Sequence, residues 1–179
     1  MRDVRANSEV SDDPAPESVR VAVMLHEPAP GRAAPPAHLD LFVGPVDCVD
    51  PDARVARSWR LPLGAWTSEG PVAGRFAAVE TPPHRAAYLS IAAPVELSDG
   101  RGSVTPLASG TGTARAAKGG AGAEPEGEPE AEPREEPEET PEGDQALTID
   151  AFGHRIALAP RGGGNWTIAI AKEGPWILP

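Results

Sequence analysis

The residues best suited to chemistry in this 179-residue chain are His26, the pair His38 and Asp40, and the pair His84 and Tyr88. Imidazole nitrogens and a carboxylate oxygen form a donor set that holds a divalent metal ion. His38 and Asp40 are two residues apart in a stretch that reads as a strand, where positions i and i+2 share a face. Their side chains would project together, and His26, ending the preceding strand, could join them across a hairpin. By itself His-x-Asp is a weak pattern, equally read as a surface histidine beside a solvated aspartate. His84 sits in a turn four residues before Tyr88, the chain's one tyrosine. An imidazole beside a phenol can contact a phosphate or form an ordinary hydrogen-bonded pair.

The elements that must position these groups are short strands broken by Pro and Gly. The strands expected are 19–26, 39–43, 54–61, 75–80, 87–92, 103–107, 147–152, 155–159 and 166–171. Gly153-His154 suggests a hairpin, and Gly162-Gly163-Gly164 marks a turn before the last strand. No amphipathic helix stands out. The expected fold is therefore all-β, a small closed or partly closed β-barrel.

Charge divides the chain unevenly. Between Glu124 and Asp144 there are eleven acidic residues and one basic residue, about −10 of the total −11. Such a Pro/Glu-rich tract cannot bury enough apolar area to offset its chain entropy, so residues 119–144 read as a disordered acidic insertion in a loop. A docking tail for a basic partner is the other reading. The remaining surface is close to neutral, so the low pI does not exclude nucleic acid as a partner. Residues 1–18 read as a disordered N-terminal arm, leaving one domain built from 19–118 and 145–179. The lone cysteine, Cys48, excludes an internal disulfide and suits the cytoplasm. No apolar leader and no run of about 18 apolar residues is present, so neither secretion nor a membrane partner is expected.

The order of the motifs adds what none of them carries alone. His26 is followed by His38-x-Asp40, then by Ser58-Trp59-Arg60-Leu61-Pro62, then by Pro83-His84-Arg85 and Tyr88. A Gly-Arg-Gly turn, SVTPLASGTG and a C-terminal FGHRIALAP…NWTIAIA complete the series. From about Val19 to Lys172 the chain resembles the 3′-phosphoesterase domain of bacterial ATP-dependent DNA ligase D, and the shorter stand-alone relatives of that domain.

The resemblance implies a small β-barrel and a manganese site held by His26, His38 and Asp40. It implies catalytic roles for His84, Tyr88 and Arg75, which match residues near the scissile phosphate. The substrate implied is a 3′-phosphate or 3′-terminal ribonucleotide at a DNA end, met by a monomer in the cytoplasm. The chain also departs from the family. Phe42 stands where the family has an arginine, Gly44 where it has a glutamate and Leu63 where it has a lysine. A phenyl ring cannot bind a phosphate as a guanidinium does. A catalytically impaired relative that binds DNA ends or a repair protein is therefore the alternative expectation. An unrelated β-barrel with incidental histidines is the third.

Overall fold

The computed structural model describes residues 15–31, 35–116 and 145–172. Its strands are β1 (Glu17–Glu27), β2 (His38–Pro45), β3 (Ala56–Leu61), β4 (Trp66–Thr67), β5 (Gly70–Pro71) and β6 (Gly74–His84). They continue with β7 (Val95–Leu97), β8 (Gly102–Ala116), β9 (Leu147–Ala151), β10 (His154–Gly162) and β11 (Asn165–Lys172). Among the described residues there is no α-helix, only three 3₁₀ turns. Eight antiparallel strands close a barrel in the order β1-β2-β3-β6-β11-β10-β9-β8, with β8 returning to β1 and β7 added outside on β8. The fold is the expected all-β barrel.

The barrel is two four-stranded meanders wrapped against each other, so the β6–β8 connection must cross from one to the other. That connection departs from expectation. A strand was expected at 87–92, yet Ala86–Ser90 forms a 3₁₀ turn with Ala86 and Leu89 buried. A three-residue apolar spacing matches one turn of 3₁₀ helix, not the period of two of a strand. The N-terminal arm is also shorter than expected. Glu17 and Ser18 pair with Ala114 and Thr113 of β8. The rest of the arm up to residue 14, and the acidic insertion, lie outside the described residues. So do 32–34, inside the β1–β2 connection.

Closure depends on β8, expected as five residues and in fact fifteen. It pairs with β1 along the whole length of β1, from Ser103 to Ala114, with a bulge where Val23 faces Ala108 and Met24 faces Pro106. Pro106 has no N–H to give to a ladder, and a bulge is where a strand tolerates that. Gly102 opens β8 at φ +109, where a Cβ would lie 1.9 Å from the Glu27 carbonyl oxygen. Only glycine lets β8 start against the end of β1 in this way. The β9–β10 hairpin turns at Phe152 and Gly153, both at positive φ, as the Gly153-His154 signal implied.

Alternation along β1, β2 and β3 separates two apolar groups. Val19, Val21, Val23, Leu39, Leu41, Val43, Trp59 and Leu61 belong to the main core with residues of β9, β10 and β11. They point into the barrel. Ala22, Met24, Phe42 and Ala56 point outward and form a second cluster under Leu89, with Val104 of β8. Inside, the Trp59 and Trp166 rings meet edge to face at 5.7 Å. Arg57 lies over Trp59 at 4.8 Å and is held by Glu80 at 2.9 Å. The void left at the barrel centre is about 10 Å³ and wholly apolar, so the barrel holds side chains and no ligand.

Candidate metal centre

Because the lumen is full, chemistry must sit on the wall or at a rim. The second face of β1 and β2 carries it. His26 and His38 are direct cross-strand partners, and Asp40 follows on the same face of β2. The His26 and His38 rings lie 4.8 Å apart. Asp40 Oδ2 is 3.6 Å from His26 Nδ1 and 3.7 Å from His38 Nε2. One ligand atom from each residue can be chosen so that all three lie within 4.8 Å of one another. The group could hold a metal ion.

Two further observations fit that use. His38 Nδ1–H donates to the Pro36 carbonyl at 2.7 Å, which places the lone pair on Nε2. His38 Nε2 and His26 Nε2 are both buried and lack a hydrogen-bond partner. Buried polar atoms are rarely left so, and an ion bound at His38 Nε2 would satisfy that one. Burial lowers the pKa of His38, keeping it neutral and ready to ligate. Burial raises the pKa of Asp40, against the opposing pull of His38, His26, Arg60 and His84. A divalent cation would relieve the cost of that buried carboxylate.

His84 and Tyr88 join the same face from beyond β3. His84 ends β6 and pairs with Ala56, next to a bulge in which Pro82 and Pro83 of β6 stand against the single residue Arg57 of β3. Its ring stands edge-on to Phe42 and to Tyr88, each at 5.3 Å, and Phe42 stacks on Tyr88 at 5.3 Å. Its charged form feels Asp40, and its pKa is lowered by burial first.

One arrangement of hydrogens at His84 uses all of its neighbouring hydroxyl contacts at once. Thr81 Oγ1 has the Ser58 carbonyl as an acceptor at 3.4 Å, and Ser58 Oγ contacts Thr81 Oγ1 closely. Ser58 Oγ lies 2.9 Å from His84 Nδ1. Each hydroxyl has one hydrogen. The set closes when Thr81 donates to the carbonyl, Ser58 donates to Thr81, and His84 Nδ1–H donates to Ser58. His84 Nε2 then keeps its lone pair.

Arg75 does not join this group. It lies near the opposite end of β6 from His84, paired with Ala169 of β11 and exposed. Nine strand positions separate them, roughly 30 Å of extended chain. The cation the site does have is Arg60, which faces Asp40 across the β2–β3 ladder. Its charge acts on both His38 and Asp40. Arg54 and Arg101 act on His84. Arg60 could have been found by its parity with Ser58 on β3. The motif alone gave no reason to single it out.

Phe42 and Gly44 have clear packing roles. Phe42 is 1% exposed, packed under Tyr88 and Leu89 rather than offered to solvent. Gly44 makes room for Leu89, since a Cβ there would come within 2.7 Å of Leu89 Cδ1. Both residues seat the 3₁₀ turn that carries Tyr88.

No family model, curated protein or solved structure matches the chain. Among the described residues no helix is long and apolar enough to cross a membrane.

Proposed function

We propose that the chain is a metal-dependent phosphoesterase-like domain that acts on 3′-phosphate or 3′-terminal ribonucleotide ends of DNA. One observation supports this above the others: His26, His38 and Asp40 gather on an outer wall of the barrel with His84 and Tyr88 alongside. The ordered motifs shared with the ligase D phosphoesterase domain supply the substrate class and Mn²⁺ as the expected ion. A divalent ion there would offset the negative charge that develops on a phosphate during hydrolysis.

The chain's own groups have distinct tasks. His38 is oriented by the Pro36 carbonyl. His84, neutral with its lone pair on Nε2, is suited to take a proton from an attacking water. Tyr88 is held against His84 through Phe42 and brings its phenol to the same place. Arg60 supplies positive charge beside Asp40.

The alternative is a catalytically impaired relative that binds DNA ends or a repair protein. Phe42 favours it, because the family's arginine at that position is replaced by a buried ring. Manganese titration followed by thermal unfolding, then 3′-phosphate release from a primer–template duplex, separates the two. Stabilisation by Mn²⁺ with turnover, both lost in His38→Ala, supports the phosphoesterase. Stabilisation without turnover supports the binding module, and no effect of the metal ends both readings.

A further inference from the structure

We infer that Arg60 and the groove beside it form a subsite for the terminal nucleoside and its single phosphate. This rests on the phosphoesterase reading and adds where the organic part of the substrate lies. The first observation is an incomplete set of contacts. Arg60 Nε is shut off from solvent with no hydrogen-bond partner. Among the described residues its guanidinium enters no hydrogen bond and no ion pair. A shielded guanidinium donor left in this state calls for an oxyanion, which it can grip with two parallel bonds.

The second observation is the surface Arg60 opens onto. A groove of about 570 Å³ runs from His38 and Arg60 over the outer face of β3, β6 and β11. Its walls include Pro36, Leu63 and Val79, with Asn165 among its lining residues. Leu63 and Val79 are 47% and 45% exposed, two of the few large apolar side chains so open to solvent. That volume is in the range of small-ligand sites.

Charge selects the occupant. The groove is lined by one guanidinium and no carboxylate. A duplex backbone would need a row of cations to match its phosphates. One phosphate at Arg60, followed by a planar ring over Leu63 and Val79 with its polar edge near Asn165, uses every feature present. A nucleoside 3′-monophosphate, free or at the end of a strand, has that shape. Leu63, at the position of the family's lysine, is then part of the ring's seat.

Calorimetric titrations with inorganic phosphate, 3′-AMP and a 3′-phosphorylated oligonucleotide, each with and without Mn²⁺, test the subsite. The 3′-AMP should bind at least tenfold tighter than phosphate. The oligonucleotide should match 3′-AMP if only the terminal residue is held, and exceed it if the strand end is the true ligand. Arg60→Gln should weaken both 3′-AMP and phosphate by about ten- to hundredfold, as expected for loss of charged hydrogen bonds. Arg60→Lys should recover part of this. Val79→Asp should remove the preference for 3′-AMP and leave the thermal shift with Mn²⁺ intact. Equal affinities of wild type and Arg60→Gln in both metal conditions would overturn the subsite. Equal binding of 3′-AMP and phosphate would overturn the nucleoside half of it. Failure of Mn²⁺ to stabilise the wild type would instead count against the metal reading, with the subsite still measured by the metal-free arm.

Discussion

His84 Nδ1 stands 2.9 Å from Ser58 Oγ, and Ser58 is in turn bound to Thr81, so two hydroxyls on β3 and β6 decide which nitrogen of His84 carries a proton. Thr81→Val removes the terminal acceptor with little change in shape. Ser58 would then turn its hydrogen toward His84, and the proton would move to Nε2. Nitrogen-detected NMR of the imidazole should report the Nδ1–H form in wild type and a predominant Nε2–H form in Thr81→Val. An Nε2–H form in wild type would sink the assignment, and an unchanged Nδ1–H form in Thr81→Val would show that the Pro82 carbonyl, not the hydroxyls, holds that proton.

Asp40 is ionised at a cost before any metal arrives. Burial raises its pKa, so the folded apo-protein holds protons there more tightly than the unfolded chain does. A raised carboxyl pKa favours the folded state in acid, and that contribution is lost as pH rises through the folded value. Asp40→Asn should therefore keep or raise the melting temperature of the metal-free protein at pH 7.5, by at most a few degrees. The same variant should lose the stabilisation by Mn²⁺. A clear loss of apo stability would mean that the carboxylate is already well paired.

The histidines respond in the opposite sense. Burial lowers the pKa of His38 and His84 below the usual 6.5. The folded state then resists protonation that the unfolded chain accepts, so stability is complete above pH 6.5 and falls as pH drops below it. Melts of metal-free protein between pH 7.5 and 5.0 should show this decline, partly offset by Asp40. His84→Gln should flatten it. Mn²⁺ should steepen it, because protons and metal compete for His38.

Most of the strand pattern and the gathering of His26, His38 and Asp40 were legible in the sequence. Period-two patterning placed His38 and Asp40 on one face, and antiparallel pairing of the consecutive strands β1 and β2 sets His26 opposite His38. What could not be read was which face looked inward. Phe42 was expected to stand in place of a phosphate-binding arginine, and it lies beneath a connection whose path depends on contacts far apart in sequence. The same long-range packing turns residues 86–90 into a 3₁₀ turn, and leaves Arg75 away from the cluster on the far stretch of β6.

Phe42 should consequently behave as a core residue. Phe42→Ala should cost about 3–5 kcal/mol in urea unfolding, the usual range for emptying a buried aromatic position. Phe42→Arg should be worse, because it buries an unpaired charge in place of the ring. It should fail to restore the family's phosphate contact. A soluble, stable Phe42→Arg protein with increased phosphate release would contradict the packing described for Leu89 and Tyr88.

The outward placement of His26, His38 and Asp40 on a filled barrel has one more consequence. Along His38–Gly44, neighbouring residues answer to unrelated demands, because consecutive side chains face either the packed interior or the outer wall. Substitutions at 39, 41 and 43 should trade only against folding, and those at 38 and 40 mainly against ligand binding. The core could thus drift among aliphatic residues without disturbing the ligands, and the outer wall could change its specificity without being rebuilt from within.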